Sequence, residues 1–447
     1  MSTVHEASRD VPVLTETDIL VVGGGPAGIA AAVASAREGV KTLLVERYGF
    51  LGGNITQAMV ESIAWYRHEE TVEAGGIGTE FEREAEEVGG TRDDSESIGQ
   101  LIDADLFKYA ADRMIQKAGV TPLLHCWVVD VVYDGNEICG VITESKSGRR
   151  AILAKIIIDA SGDADVAARA GAPYRQAPKD ELMSVTVGFG LSGVDVEAFR
   201  AHVKQKPGRI GDWATKTAKK ENELFSAYFT DVFHEARKAG DIPKDMMLDG
   251  YWHALTDAGE ATGMNLVRIF NVDPTDVWDL TRAEIEGRRQ VIYAVEALKK
   301  HQPGFENAKL RTIGSSIGTR ESRKIEGRYN LTEHDVMNQA AFDDSIGIFP
   351  EFLDAYGLVL IPTTGRYFQV PYGISVPKGV ENLLVAGRSV AGDRISHSAT
   401  RQMICCAVTG QGCGVAAAVA VKDGCLPSAV DISTVQQRLQ VQGVRIN

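Results

Sequence analysis

Three glycines and one acid carry the most legible chemistry in this chain. Gly23, Gly25 and Gly28 form G-x-G-x-x-G within "DILVVGGGPAGIAAA", where an apolar run meets a run of small residues. In that setting the first glycine permits a tight turn, the second lets backbone approach a pyrophosphate, and the third lets helix pack on strand. Phosphate charge then meets unpaired N–H groups at the positive end of a helix. Glu46 closes the next apolar run, eighteen residues after Gly28, where a carboxylate can take two ribose hydroxyls. The set is suited to a dinucleotide.

The elements that position these residues follow from hydrophobic patterning. "DILVVGGG" reads as a strand buried on both faces, and "PAGIAAAVASAREG" as a helix with Pro26 in its first turn and Gly39 as its stop. "KTLLVER" is the second strand of a βαβ unit. Further on, "LIDADLFKYAADRMIQKAG" predicts an amphipathic helix, and "VTPLLHCWVVDVVYDGNEICGVITES" predicts strands joined by a turn at Asp134–Asn136. "AKIIIDASGDADVAARAGA" predicts a buried strand that enters a helix after Ser161-Gly162-Asp163. From Leu182 to Tyr372 the pattern changes to longer helices and scattered strands. The apolar strand "ENLLVAG" then returns, followed by a long helix in "ATRQMICCAVTGQGCGVAAAVAVKDG", opening near Ser398–Arg401. A nucleotide domain built from both ends of the chain, with an inserted cap, is the expected organisation.

Composition narrows the classes. A chain of 447 residues is too long for one small core. Its net charge of −14 argues against a nucleic-acid surface or an anionic membrane as partner. "MSTVHEASRD" places charges where a signal peptide needs an apolar core. The apolar run "GVAAAVAV", Gly414 to Val421, is shorter than a membrane span. The six cysteines form no C-x-x-C pair, so neither a metal site nor a dithiol motif is expected, and a reduced cytoplasmic location is.

After Glu46 the chain runs "RYGFLGGN", a second side-chain-poor stretch that suits a ligand longer than an adenosine half. Here the sequence resembles the FAD-dependent oxidoreductases of the succinate dehydrogenase/fumarate reductase flavoprotein superfamily, especially their general "FAD-dependent oxidoreductase" branch. The resemblance runs from Asp18 to about Gly424. It rests on "VVGGGPAGIAAAVASAREG", "VVDVVYDGNEICGVITESKSGRRAILAKIIIDASGDADVAARAGAPY", "DLTRAEIEGRRQ", "IGTRESRKIEGRYNLT", "VPYGISVPKGVENLLVAGRSVAGD" and "ATRQMICCAVTGQGCGVAAA", in that order.

The resemblance implies an α/β fold. A discontinuous, Rossmann-like FAD-binding domain of glutathione-reductase type (residues 12–181 and 373–447) would carry an inserted α+β cap or substrate domain (182–372). It implies FAD held through Gly23, Gly25, Pro26, Ala27, Gly28, Glu46, Arg47, Gly53 and Asn54. Trp127 and Val128 would lie by the adenine, Ser161, Gly162 and Asp163 would form a second dinucleotide contact, and Arg388 and Asp393 would belong to the returning loop by the flavin. Some relatives attach FAD through a histidine just after the glycine pair. No histidine stands between Gly53 and Tyr66, so non-covalent FAD is expected. No other glycine cluster follows an apolar strand, so a separate nicotinamide domain is not expected.

The activity implied is hydride transfer between flavin N5 and a small polar metabolite, with a carboxylated one as an option. Its alternatives are an oxidase or monooxygenase using oxygen, and an FAD-binding protein without turnover. His397 is the candidate for moving the accompanying proton, its alternative being a loop histidine bonded to backbone. Arg401 and Arg320 are candidates for touching the substrate. Arg401 can clamp a carboxylate or the flavin C2=O, whereas Arg320 with Glu321 and Arg323 can instead lock the insert through ion pairs. Tyr367 and Tyr372 read as a core pair before pocket residues, Cys405 and Cys406 as apolar packers before redox groups, and His125 as a satisfied strand residue. Trp65, Tyr66 and His68 are either a lid or an exposed surface. The partners expected are a small-molecule substrate and an unidentified electron donor or acceptor, with self-association open.

Overall fold

The computed structural model describes residues 2–63, 73–93, 100–135, 137–203, 205, 229–250, 254–350, 353–355, 358–360 and 366–447. Trp65, Tyr66 and His68 lie outside them. The continuous apolar runs become one seven-stranded sheet. Its centre is β1 (Val13–Val22), parallel to β2 (Thr42–Val45) on one side and to Arg150–Asp159 on the other. Thr121–Leu123 extends the sheet beyond β2, and the returning strand Leu383–Val385 pairs with Ile157–Asp159. Val22 stands opposite Val45 and Asp159, Val385 opposite Asp159, and Val45 opposite Leu123, so all five parallel strands end at one edge. Such an edge is where open α/β sheets place ligands. Trp127–Asp134 and Glu137–Glu144 complete the sheet as an antiparallel ribbon.

Both faces of β1 are covered, which is why Ile19, Leu20 and Val21 are fully buried without alternation. One face carries α1 (Pro26–Arg37) and the long helix Met403–Asp423. A Cβ on Gly410 would lie 2.1 Å from the Ala27 carbonyl oxygen, and one on Gly414 would lie 2.3 Å from that of Ala31. The two helices therefore run side by side with backbone against backbone. The expected helix start near Ser398–Arg401 is corrected: a short helix, Arg394–Thr400, is capped by Asp393, and the long helix begins only at Met403. "GQGCG" lies inside that helix without interrupting it. The helix is long and apolar enough to cross a membrane, contrary to the shorter run read from sequence. However, 94% of its apolar window is buried inside the protein.

The inserted segment builds a second core, from Val185 to Ile317. A four-stranded antiparallel sheet (Ala254–Leu255, Ala261–Met264, Phe189–Ser192, Lys309–Ile313) packs there with the 25-residue helix Val277–His301. Leu331, Ile348, Phe349 and Phe368 sit instead in the first core, so residues 182–372 divide between the two. The fold is thus α/β, with a discontinuous Rossmann-like domain and an α+β insertion.

Valine at position 410 would force its side chain into the Ala27 backbone. Overpacking of this kind costs about 1–3 kcal/mol. Gly410→Val is expected to lower the thermal unfolding midpoint, and an unchanged midpoint would contradict the close helix contact.

Candidate active site

A cavity of about 860 Å³ opens at the strand-end edge and extends under the insertion. Gly23, at φ +105°, turns the chain out of β1, and its N–H bonds to the Val45 carbonyl at 2.8 Å. A side chain on Gly28 would meet the Gly23 oxygen at 1.7 Å, which fixes this position as the strand–helix contact. Gly25 caps α1 with no side-chain bond among the described residues. The first N–H groups of α1 are thereby left for a ligand. Gly25, Pro26, Ala27, Gly53 and Asn54 line the cavity, and a Cβ on Gly53 would lie 2.8 Å from Gly25 Cα. The two glycine stretches form one bare backbone cradle.

Glu46, also lining, is held by two donors: Gly24 N–H reaches Oε2 at 2.6 Å and Tyr48 N–H reaches Oε1 at 2.9 Å. Its carboxylate therefore orders the glycine turn as well as facing the space a ribose would fill. Arg47 lies over the Tyr48 and Trp127 rings, at 5.0 and 5.5 Å from their centroids. Trp127, Val128, Ser161 and Gly162 also line the cavity.

Asp163 and Asp393 do not reach it. Asp163 Oδ1 accepts from Arg388 Nη2 and Ser322 Oγ, each at 2.7 Å. Burial would raise this carboxyl, but Arg388 and Ser322 hold it below the usual range. Asp163 thus orients Arg388, which does line the cavity and whose Nε has no hydrogen-bond partner among the described residues. Asp393, expected as a cofactor contact, instead accepts from Ser396 N–H at 2.7 Å and Glu333 N–H at 2.6 Å. It is a helix cap joining two segments.

The expectation for His397 is corrected. The ring is 1% exposed and absent from the cavity wall; Nε2 lies 3.1 Å from the Arg320 carbonyl oxygen. Nδ1 has no partner among the described residues. Burial, with Lys324, Arg401 and Arg388 nearby, pushes its pKa well down. The ring holds the backbone of Arg320 through Nε2.

Arg320 itself lines the cavity, donating to the Ser184 carbonyl at 2.7 Å and lying 3.4 Å from Asn265 Oδ1. Beside it, two of the residues expected to lock the insert are in ion pairs: Glu321 with Lys324 at 2.6 Å and Arg323 with Asp165 at 3.1 Å. Arg401 lines the cavity beside Gln402, Met403 and Cys406, pairs with Asp354 at 3.1 Å, and leaves Nε unpartnered among the described residues. The positive end of the long helix therefore faces the same space, at Met403.

Among the remaining candidates, Tyr372 donates its hydroxyl to the Pro427 carbonyl at 2.9 Å, and Tyr367 lies by Arg445; neither is in the cavity wall. Burial pushes the Cys406 thiol up to about 12, and the Cys405 thiol well up too, so neither is a ready thiolate. His125 is corrected from strand to exposed bend, with φ +55°. The sequence reading missed Thr186, Asn265, Arg268 and Phe270, which line the cavity from the insertion.

A bare glycine cradle at a helix start, a shielded acid and, among the described residues, two arginine nitrogens without a hydrogen-bond partner fit a dinucleotide site. The FAD dependent oxidoreductase family model matches residues 18–439, and the chain belongs to that family, with FAD as its cofactor. Digeranylgeranylglycerophospholipid reductase 1 of Methanococcoides burtonii is 26% identical over 190 residues, covering 40% of this chain and 46% of that protein. Thiamine thiazole synthase of Methanococcus vannielii is 26% identical over 264 residues, covering 53% of this chain and 85% of that protein. A geranylgeranyl bacteriochlorophyll reductase-like structure from Thermoplasma acidophilum overlays with a TM-score of 0.47 at 13% identity, covering 96% of this chain and 82% of that one.

His397 also makes a prediction about pH. An unfolded histidine takes a proton below about pH 6.5, whereas the buried one resists it. Stability should therefore fall as pH drops below that value, by up to about 1.4 kcal/mol per pH unit from this group. His397→Gln should flatten the denaturation midpoint between pH 6.5 and 5; an unchanged slope would show that the ring titrates in the folded state.

Proposed function

We propose that this chain is an FAD-dependent dehydrogenase or reductase that transfers hydride between flavin N5 and a small polar metabolite, oriented by a carboxylate. The observation that supports this most is Arg320. It reaches from the insertion into the cavity that begins at the glycine cradle, so a substrate anion and a flavin would share one space.

In this reading Gly23, Gly25, Pro26, Ala27, Gly53 and Asn54 hold the pyrophosphate against α1, with Gly28 permitting the approach. Glu46 takes ribose hydroxyls, while Arg47, Trp127 and Val128 flank the adenine. Ser161, Gly162 and Arg388 form the second contact, with Asp163 acting through Arg388. FAD, when bound, supplies the two-electron donor or acceptor. The start of the helix at Met403 offers N–H groups to negative charge at the pyrimidine edge. Arg401 adds a cation there, and Arg320 orients substrate. His397 acts by fixing Arg320 and is not assigned the proton.

The narrower placement in the succinate dehydrogenase/fumarate reductase superfamily belongs to the same proposal and rests on the six motifs quoted above. So do a cytoplasmic location, a small-molecule substrate and a separate electron partner, in keeping with the net charge of −14.

Four outcomes test the proposal. Acid precipitation should release the yellow colour into the supernatant, whereas a coloured pellet would mean covalent FAD. Photoreduced protein mixed with oxygen in a stopped-flow instrument should reoxidise slowly; rapid peroxide formation would make it an oxidase. Once a metabolite that bleaches the flavin is found, Arg320→Met should raise KM by about 10–100-fold with a smaller effect on kcat. If a broad metabolite panel bleaches nothing, the turnover reading fails.

A further inference from the structure

The insertion's share of the cavity wall has a composition of its own. Along Asn265–Phe270, Leu266, Val267 and Ile269 are buried in the second core, while Asn265, Arg268 and Phe270 line the cavity. The segment is pinned on both sides. Arg268 N–H donates to Gln290 of the long cap helix at 3.3 Å, and Ile269 exchanges backbone bonds with Val185 at 2.9 and 3.0 Å.

The side-chain bonds converge on one atom. Asn265 Oδ1 accepts from Arg268 Nη1 at 3.0 Å, lies 3.4 Å from Arg320 Nη2, and has Thr186 Oγ1 at 2.8 Å. An amide oxygen offers two lone pairs, whereas each guanidinium brings five N–H donors. Asn265 can therefore aim two cations at one place without neutralising either. Arg268 has no carboxylate within ion-pair distance among the described residues, whereas Arg388, Arg394 and Arg401, which also line the cavity, are each paired with an acid. Asp249, whose N–H bonds to the Leu266 carbonyl, also lines the cavity, with Oδ1 taken by Thr230 Oγ1 at 2.7 Å and Gly250 N–H at 2.9 Å.

Beside these cations stand two large apolar side chains left open to the cavity. Phe270 is 48% exposed and Met247 is 51% exposed, and both line it. A purely hydrophilic ligand would leave them wet.

From these observations we infer that the cap carries an amphipathic-carboxylate subsite. Arg268 and Arg320, set by Asn265, take the anionic head, and Phe270 and Met247 cover an apolar or aromatic body. Arg268 is a substrate-binding residue and Asn265 a positioning residue. The inference rests on the proposed function for the nature of the ligand as substrate and narrows the small polar metabolite to an amphipathic carboxylate, but it concerns binding and can be tested without turnover.

FAD-loaded protein is titrated with acetate, hexanoate and phenylacetate and with their amides, following the flavin absorption band. Hexanoate and phenylacetate are expected to bind about 10–100-fold more tightly than hexanamide and phenylacetamide, and more tightly than acetate. Arg268→Met should remove the preference for acid over amide. Phe270→Ala should weaken phenylacetate and hexanoate while leaving acetate unchanged. Because Phe270 is half exposed, this variant is expected to fold, and an unaltered flavin spectrum checks both variants. Asn265→Asp, which places a fixed negative charge between the arginines, should weaken all three acids while leaving the amides unaffected. Equal binding of acids and amides, or full carboxylate affinity in FAD-loaded Arg268→Met, overturns the subsite. Loss of the subsite with metabolite-driven bleaching intact leaves the oxidoreductase reading standing; the reverse result removes turnover alone.

Discussion

The closeness of two helix backbones organises this molecule. Ala27 lies against Gly410 and Ala31 against Gly414, so α1 and the long helix run in the same direction. Both then aim their positive ends toward one cavity. The ends are not level. Met403 precedes Gly410, the partner of Ala27, by about seven residues, or about 10 Å at helical rise. The first helix thus opens at the glycine cradle, and the second begins further along the same cavity. Only glycines at the contact allow this, because any side chain there would separate the axes and splay the two ends.

The strands supply the other half of the geometry. Five parallel strands stop at one edge, and the residues just beyond them (Gly23, Glu46, Ser161 and Arg388) become neighbours from four distant stretches of chain. Acids tie these segments together. Glu46 binds the N–H of Gly24, and Asp163 binds Arg388. Asp159, pushed upward by burial, accepts from Ser161 and from the N–H groups of Val166 and Ala167. These three acids are thus engaged in holding the strand-end segments together.

What could be read from sequence was what depends on local pattern. Continuous apolar runs predicted the parallel strands, and the glycine spacing predicted the turn before α1. Features set by tertiary contact were misread. His397 lies in a loop of the right composition, but the short helix Arg394–Thr400 turns its ring inward. Asp393 looked like a ligand residue because helix capping and ligand binding favour the same side chain. Asn265, Arg268 and Phe270 carried no motif. Their signal is that they are the open positions among the buried Leu266, Val267 and Ile269, which becomes meaningful only once the second core and the cavity are both known.

The segment after the second glycine stretch is shared property. Asn54 donates to the Thr319 carbonyl, Ala58 accepts from Gly188 N–H, and Gln57 accepts from Ser316 N–H. The cradle and the insertion are therefore stitched through the same six residues, 54–59. A ligand that shifted the insertion would act on the glycine cradle through these bonds, and any coupling between two occupants would be reciprocal.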